Sequence, residues 1–262
     1  GIGTNLPGGN ATPISLDAVE EVSINVTPYD IRQSGFIGSA INAVTRSGNN
    51  NFSGSAYTYF RNQNQQGNKV GDNTFNRQEL DYKQYGFRVG GPIIKNKLFF
   101  FVNAETEKQI TPGPSQIAAT AQLPFSQANP QVSRPTVTEM DMMSKYLKDT
   151  YGYETGPYQG YSSNSFSTKF LVRLDWNISK NHRLNVRYNE LKSESSRISA
   201  STSTSPFTNV YPQNRQSTQA LQYENSGYFQ AANFKSFAAE LNSTFGGKFA
   251  NTLRATYTRQ ND

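Results

Sequence analysis

Apolar and polar residues alternate one for one in segments of about ten, a period of two that commits the chain to strands with one apolar and one polar face. In residues 52–61, Phe52, Gly54, Ala56, Thr58 and Phe60 share one face. Ser53, Ser55, Tyr57, Tyr59 and Arg61 share the other. About ten residues is also the length a tilted strand needs to cross a bilayer.

Seven segments carry the pattern, and six of them pair as hairpins. Tyr85, Phe87 and Val89 oppose Gln84, Gly86, Arg88 and Gly90, and after a turn at 91–97 the return strand sets Phe100, Val102 and Ala104 against Asn103 and Glu105. Phe170, Val172, Leu174 and Trp176 oppose Lys169, Arg173, Asp175 and Asn177. That strand turns at Ser179–His182 and returns as Leu184, Val186 and Tyr188 against Arg183, Asn185 and Arg187. Phe237, Ala239 and Leu241 pair with Leu253, Ala255 and Tyr257 across Gly246-Gly247, with Glu240, Asn242, Arg254 and Thr256 opposite.

The connections are in turn long (about 62–80), short, very long (about 107–165), short, long (about 192–230) and short. Short turns on one side and long loops on the other mark a transmembrane antiparallel β-barrel of the outer-membrane type. A soluble sandwich has no reason to sort its loops by length. The turns near Lys95, Lys180 and Gly246 then face the periplasm. Leu98-Phe99-Phe100-Phe101 and Trp176 fall at the periplasmic interface, with Tyr59, Phe60, Tyr85, Tyr188 and Tyr257 at the outer one. In the longest loop, Val137–Tyr151 reads as a helix with Val137, Met140, Met143 and Leu147 on one face, Thr136 or Thr138 as cap and Gly152 as stop.

Composition agrees with a thin apolar layer between wet surfaces: 35% hydrophobic but 13% aromatic. No stretch approaches the roughly 20 apolar residues of a membrane helix. With no cysteine and a single histidine, His182, neither a disulfide framework nor a Cys- or multi-His metal site is available. The net charge of +6 is scattered at strand spacing, which argues against a nucleic-acid partner. Gly35-Phe36-Ile37-Gly38 lacks the Lys-Ser/Thr of a phosphate loop. One histidine in a turn makes a poor catalytic base. We expect no catalytic residues, cofactor or metal.

Before the first strand, Val22, Ile24 and Val26 alternate as a buried strand, followed by Asp30 to Gly48 with Gly35, Gly38, Ile41, Asn42, Thr45, Arg46 and Gly48. This segment resembles the closing motif of TonB-dependent receptor plugs. Ile14 to Val22, Pro28 to Arg32, Gly35-Phe36 and the run Gly90 to Phe101 are similar to the Oar-like branch of that family. The resemblance covers about residues 14–61 and 84–105.

The resemblance implies an all-β chain in which 1–48 are the C-terminal part of a plug domain and 49–262 the N-terminal part of the barrel. That is about seven strands of an expected total of about 22, so the sequence reads as a fragment. It implies TonB-dependent import of a peptide, protein or glycan-type cargo across the outer membrane of a Gram-negative bacterium. The partners would be outer-membrane lipid, the TonB complex acting through a more N-terminal segment and, as an open possibility, a surface lipoprotein lid. Alternation projects Arg88, Glu105, Arg173, Asp175, Arg187, Glu240 and Arg254 into the lumen, where they are candidate plug contacts or simply solvated groups, with Arg32 on the plug as a candidate partner. The rival readings are a plugged barrel with an adhesive or export role, and a soluble extracellular β-sandwich that binds carbohydrate.

Overall fold

The computed structural model describes residues 13–26, 39–71, 73–74, 79–114, 116–126, 128–129, 131–197 and 220–261. Strands β1 (Val19–Val26) and β2 (Ser39–Thr45) form an antiparallel pair, preceded by a single 3₁₀ turn at Leu16–Ala18. Arg32 and the Asp30–Gly38 part of the motif lie outside the described residues.

Seven longer strands follow: β3 (Ser53–Asn62), β4 (Asp81–Ile94), β5 (Leu98–Pro112), β6 (Ser162–Asn177), β7 (His182–Arg197), β8 (Asn233–Phe245) and β9 (Phe249–Asn261). Each pairs antiparallel with the next, so one sheet runs in chain order from β3 to β9. This is the predicted barrel wall, and it does not close on itself among the described residues. A short strand, Tyr228–Ala231, extends the sheet beside the loop end of β7.

Register puts the apolar sets on one face in continuous rows. Nearest the short turns, Leu98, Trp176, Leu184, Leu241 and Leu253 are successive cross-strand partners. Two rows up, Val89, Val102, Val172, Tyr188, Phe237 and Tyr257 line up in the same way. Among the described residues nothing covers this face: Phe87, Trp176, Leu253 and Tyr257 are 46%, 41%, 62% and 64% exposed. In water such a surface would be a severe aggregation hazard; in a bilayer it is the solvated state.

The opposite face is covered over β4–β7 by the N-terminal segment. Ile14 and Ala18 pack on Phe101 and Leu171 to form a small core, with Val19 beside it. Burying side chains the size of Phe101 and Leu171 stabilises by about 1.5–3 kcal/mol each.

Four expectations for the strands change. Within Leu98-Phe99-Phe100-Phe101, period two sends Phe99 and Phe101 inward, and Phe101 is buried under the N-terminal segment rather than in a lipid belt. Tyr59 shares the inner face with Tyr57, their rings 5.5 Å apart, so it too leaves the outer belt. Val22 is exposed, because the two-stranded β1–β2 pair has no second layer over it among the described residues. All wall strands except β3 run to 13–16 residues, because ladder hydrogen bonds continue past the apolar band where both faces are polar.

Helix α1 spans Val137–Tyr151 as expected. Thr136 caps it in a reciprocal box with Glu139, and Gly152 ends it at φ 66°. The sheltered face is Val137, Met140, Ser144 and Leu147, whereas Met143 is exposed, because α1 packs on one side only, over the strand Val132–Thr136 and Tyr223. The Thr136 amide and hydroxyl hold the Glu139 carboxyl below its usual range. The capping contribution is therefore present above the ordinary glutamate pKa and lost as pH falls through the depressed value. Hydrogen-exchange protection of the first turn of α1, taken relative to the intrinsic rate at each pH, should fall on acidification, and Glu139→Ala should remove that pH dependence.

A second outcome follows from the two faces. Leu174→Arg, on the lipid side, should lower unfolding stability in phospholipid vesicles by about 2–4 kcal/mol. Thr256→Lys, on the inner face, should change it far less in the same denaturant titration.

Candidate functional site at the inner face of the wall

The chain passes from β2 to β3 by crossing close over the ends of β4 and β5 that are joined by the short turn. A Cβ on Gly48 would lie 2.3 Å from the Phe100 carbonyl oxygen and 2.8 Å from that of Gly91, both rigid ladder atoms, so only glycine fits. Past the crossing, Asn50 Nδ2 donates to Asn96 Oδ1 at 2.6 Å and the Asn96 amide donates back to Asn50 Oδ1 at 2.7 Å. Asn96 itself holds the left-handed turn of the hairpin at φ 60°.

Three polar clusters join the N-terminal segment to the inner face. In the first, Glu105 accepts from Ser15 Oγ (2.8 Å), Tyr57 Oη (2.5 Å) and Lys169 Nζ (2.7 Å). The Lys169 and Glu105 side chains are only 7% and 3% exposed. This carboxylate has a charged partner and two hydroxyl donors, the condition under which a buried charge is tolerated. The Tyr57 ring lies over Gly86, its cross-strand partner, where a Cβ would sit 2.2 Å from the ring.

In the second cluster, Arg88 Nε lies 3.2 Å from Asp17 Oδ2 and donates to Ser55 Oγ at 2.9 Å, while Ser55 donates to the same Asp17 oxygen at 2.8 Å. In the third, Arg173 is held by Asp175 through two 2.9 Å bonds and donates from Nη1 to the Thr45 carbonyl at 2.6 Å. Asn185 adds a 2.7 Å bond to Asp175, and Asn189 donates to the Pro13 carbonyl at 3.2 Å.

The structure thus brings Arg88, Glu105 and Arg173 against the N-terminal segment and sets Asp175 behind Arg173. Arg187 faces the same side opposite Arg173 but makes no hydrogen bond to the segment among the described residues. Glu240 and Arg254 pair with each other at 2.6 Å, away from it. Sequence reasoning missed Ser15, Asp17, Thr45 and Tyr57 as contacts. Lys169 was legible as inward-facing but not as the partner of Glu105, since that depends on β5–β6 register. Among the described residues, no cluster of three or more His, Asp or Glu could hold a metal.

A single-layer meander with a bare apolar outer face and a polar inner face bearing a docked segment defines an outer-membrane β-barrel wall. The sequence profile described as "Outer membrane beta barrel domain" matches residues 44–262, and the chain belongs to that family. It is located in the Gram-negative outer membrane, which displaces the soluble-sandwich reading. The chain is similar to the TonB-dependent transporter Oar of Myxococcus xanthus, with 36% identity over 109 residues, 38% of this chain and 10% of that protein. In fold it is similar to the siderophore receptor PirA of Acinetobacter baumannii. The TM-score is 0.54 at 13% identity, over 93% of this chain and 27% of that one. The chain therefore spans only a minor part of the length of either, and both are transporters or receptors rather than enzymes.

Removing one member of the buried pair should cost more than removing both charges. Lys169→Met should destabilise by about 3–5 kcal/mol, and Lys169→Met with Glu105→Gln should recover much of it, read by denaturant titration. Gly86→Val should displace Tyr57 and expose the 13–19 segment to protease.

Proposed function

We propose that this chain is the plug-to-wall junction of a TonB-dependent outer-membrane transporter. Residues 1–48 end the plug, and 49–262 form the first part of the barrel. The observation that carries this reading is the docking of Ser15, Asp17 and Thr45 on Glu105, Arg88 and Arg173: a segment leading into the wall is held inside it by polar contacts. Such contacts exchange with water at modest net cost, unlike a packed apolar core. A plug held this way can be displaced by work done on it from the periplasm and return afterwards.

In this reading Arg88, Glu105 and Arg173 hold the plug. Asp175 orients Arg173, and Arg187, Glu240 and Arg254 line the water-filled lumen. Force comes from the TonB complex, driven by the inner-membrane proton gradient, through a more N-terminal part of the protein. The cargo is a peptide, protein or glycan met at the long loops. A cleft there of about 240 Å³, lined by Tyr161, Asn164, Glu224, Asn225, Tyr228 and Phe229, offers aromatic faces beside amide and carboxylate groups.

In cells, energy-dependent accumulation of labelled peptides or oligosaccharides should vanish when TonB is deleted or the proton gradient is dissipated, while surface binding persists. Accumulation that survives both treatments would make the barrel a passive channel.

A further inference from the structure

At the loop end of the wall β6 and β7 separate. Their ladder stops at Ser165 and Ser195, and beyond it Tyr228–Ala231 pairs with Glu194–Arg197 at the end of β7. The cleft of about 240 Å³ opens here, beside the 3₁₀ turn Glu224–Ser226. Directed bonds fix its walls. The Glu224 amide donates to the Pro157 carbonyl at 2.8 Å and the Asn225 amide to the Thr155 carbonyl at 3.1 Å, while Asn225 Nδ2 donates to the Glu154 carbonyl at 2.8 Å. The Glu224 side chain packs on Gly156, where a Cβ would lie 3.2 Å from Glu224 Cβ. On the other side the Tyr161 carbonyl accepts from the Gly113 amide at 3.2 Å.

The serine hydroxyls along the cleft are already engaged. Ser163 Oγ and Ser196 Oγ are 2.8 Å apart, the Asn164 amide donates to Ser196 Oγ at 3.1 Å, and Ser162 Oγ donates to the Glu79 carboxylate at the rim. What stays open is the Glu224 carboxylate and the rings of Tyr161, Tyr228 and Phe229. Glu224 is the single charged residue of the lining, and its carboxylate has no ion pair among the described residues. Tyr228 and Phe229 are 53% and 68% exposed. The Tyr161 hydroxyl is pushed up from the ordinary phenol range, first by burial and then by the charge of Glu224, so the field of that carboxylate reaches into the cleft. A concavity with two carboxylates, aromatic faces and no cation of its own attracts a cation from outside, because both the ring quadrupole and the carboxylate favour positive charge.

We propose that this cleft binds the guanidinium or ammonium group of a basic side chain on a peptide cargo, with Glu224 as counter-ion and Tyr161, Tyr228 and Phe229 as aromatic walls. This rests on the reading of the long loops as the place where cargo is met, and it narrows that cargo to peptides bearing arginine or lysine. Size supports a single side chain: about 240 Å³ is below the roughly 300 Å³ at which pockets for drug-sized ligands begin. A neutral sugar fits the chemistry less well. It needs free donors and acceptors for its hydroxyls, and the three serine hydroxyls are bonded to protein groups already.

The test compares two fluorescently labelled short peptides, acetylated and amidated at their ends, that differ only in carrying arginine or its neutral isostere citrulline. Fluorescence anisotropy reads their binding to the full-length protein purified in detergent. The arginine peptide should bind about tenfold more tightly, and high salt should narrow the difference. Glu224→Gln should abolish the preference by weakening the arginine peptide alone, with the heat-modifiable folded band unchanged. Phe229→Leu should reduce the preference in part. Equal affinity of the two peptides, or an arginine preference that survives Glu224→Gln, would overturn the proposal, as would displacement of the arginine peptide by a neutral oligosaccharide. Binding to purified protein needs no TonB, so these results stand apart from the uptake experiment: loss of the arginine preference leaves transport intact, and TonB-independent uptake leaves the binding preference measurable.

Discussion

Within hydrocarbon no water is present to satisfy a backbone amide or carbonyl, so each must find its partner in the next strand. That requirement is why β3 to β9 form one uninterrupted ladder. It also explains why the seven alternating segments become neighbours in chain order: the short turns fix three of the six pairings, and the ladder must be continued across the long loops for the remaining strands to find partners. Once the ladder exists, the two-residue period divides the side chains without further instruction. Phe87, Val102, Val172 and Leu174 go to lipid, and Arg88, Asn103, Arg173 and Lys169 go inside. A slip of one residue would exchange the two sets, so register carries the stability of the whole wall.

The inner face then has a different problem. Its charges are out of bulk water but not in lipid, and the N-terminal segment answers some of them. Glu105 illustrates the balance. Lys169 supplies the opposing charge from the neighbouring strand, and Tyr57 and Ser15 supply donors from β3 and from the segment, so one carboxylate ties together four parts of the chain. The apolar contact beneath it is confined to four side chains, Ile14 and Ala18 on Phe101 and Leu171. Around that small core, docking is made by polar contacts that water can replace, the property a displaceable element needs.

The wall was legible in the sequence because its constraint is local and repeated. The register of β8 with β9, Leu241 with Leu253 and Phe237 with Tyr257, follows from the turn at Gly246-Gly247 alone, and helix α1 follows from Thr136, Glu139 and Gly152. The contacts of the N-terminal segment were less legible. Alternation gives the direction in which Arg88 or Arg173 points, but not which atom comes to meet it. Asp17 and the Thr45 carbonyl arrive through a tertiary docking that has no period. Phe101 and Tyr59 leave the expected belts for a simpler reason: within an aromatic cluster, alternation sends every second ring to the inner face. Arg187, Glu240 and Arg254 were identified as inward-facing by the same rule, yet the rule cannot separate a contact from a solvated group.

The central claim is that one face of the wall meets lipid and the other meets the lumen and its docked segment. The most direct test is a scan of single spin labels from Lys169 to Trp176 in the protein reconstituted in lipid, comparing collision with oxygen and with a water-soluble nickel chelate. The account predicts a strict period of two, with oxygen access high at Phe170, Val172, Leu174 and Trp176 and low at Lys169, Leu171, Arg173 and Asp175. Uniform access along the strand, or nickel access at the first set, would contradict it.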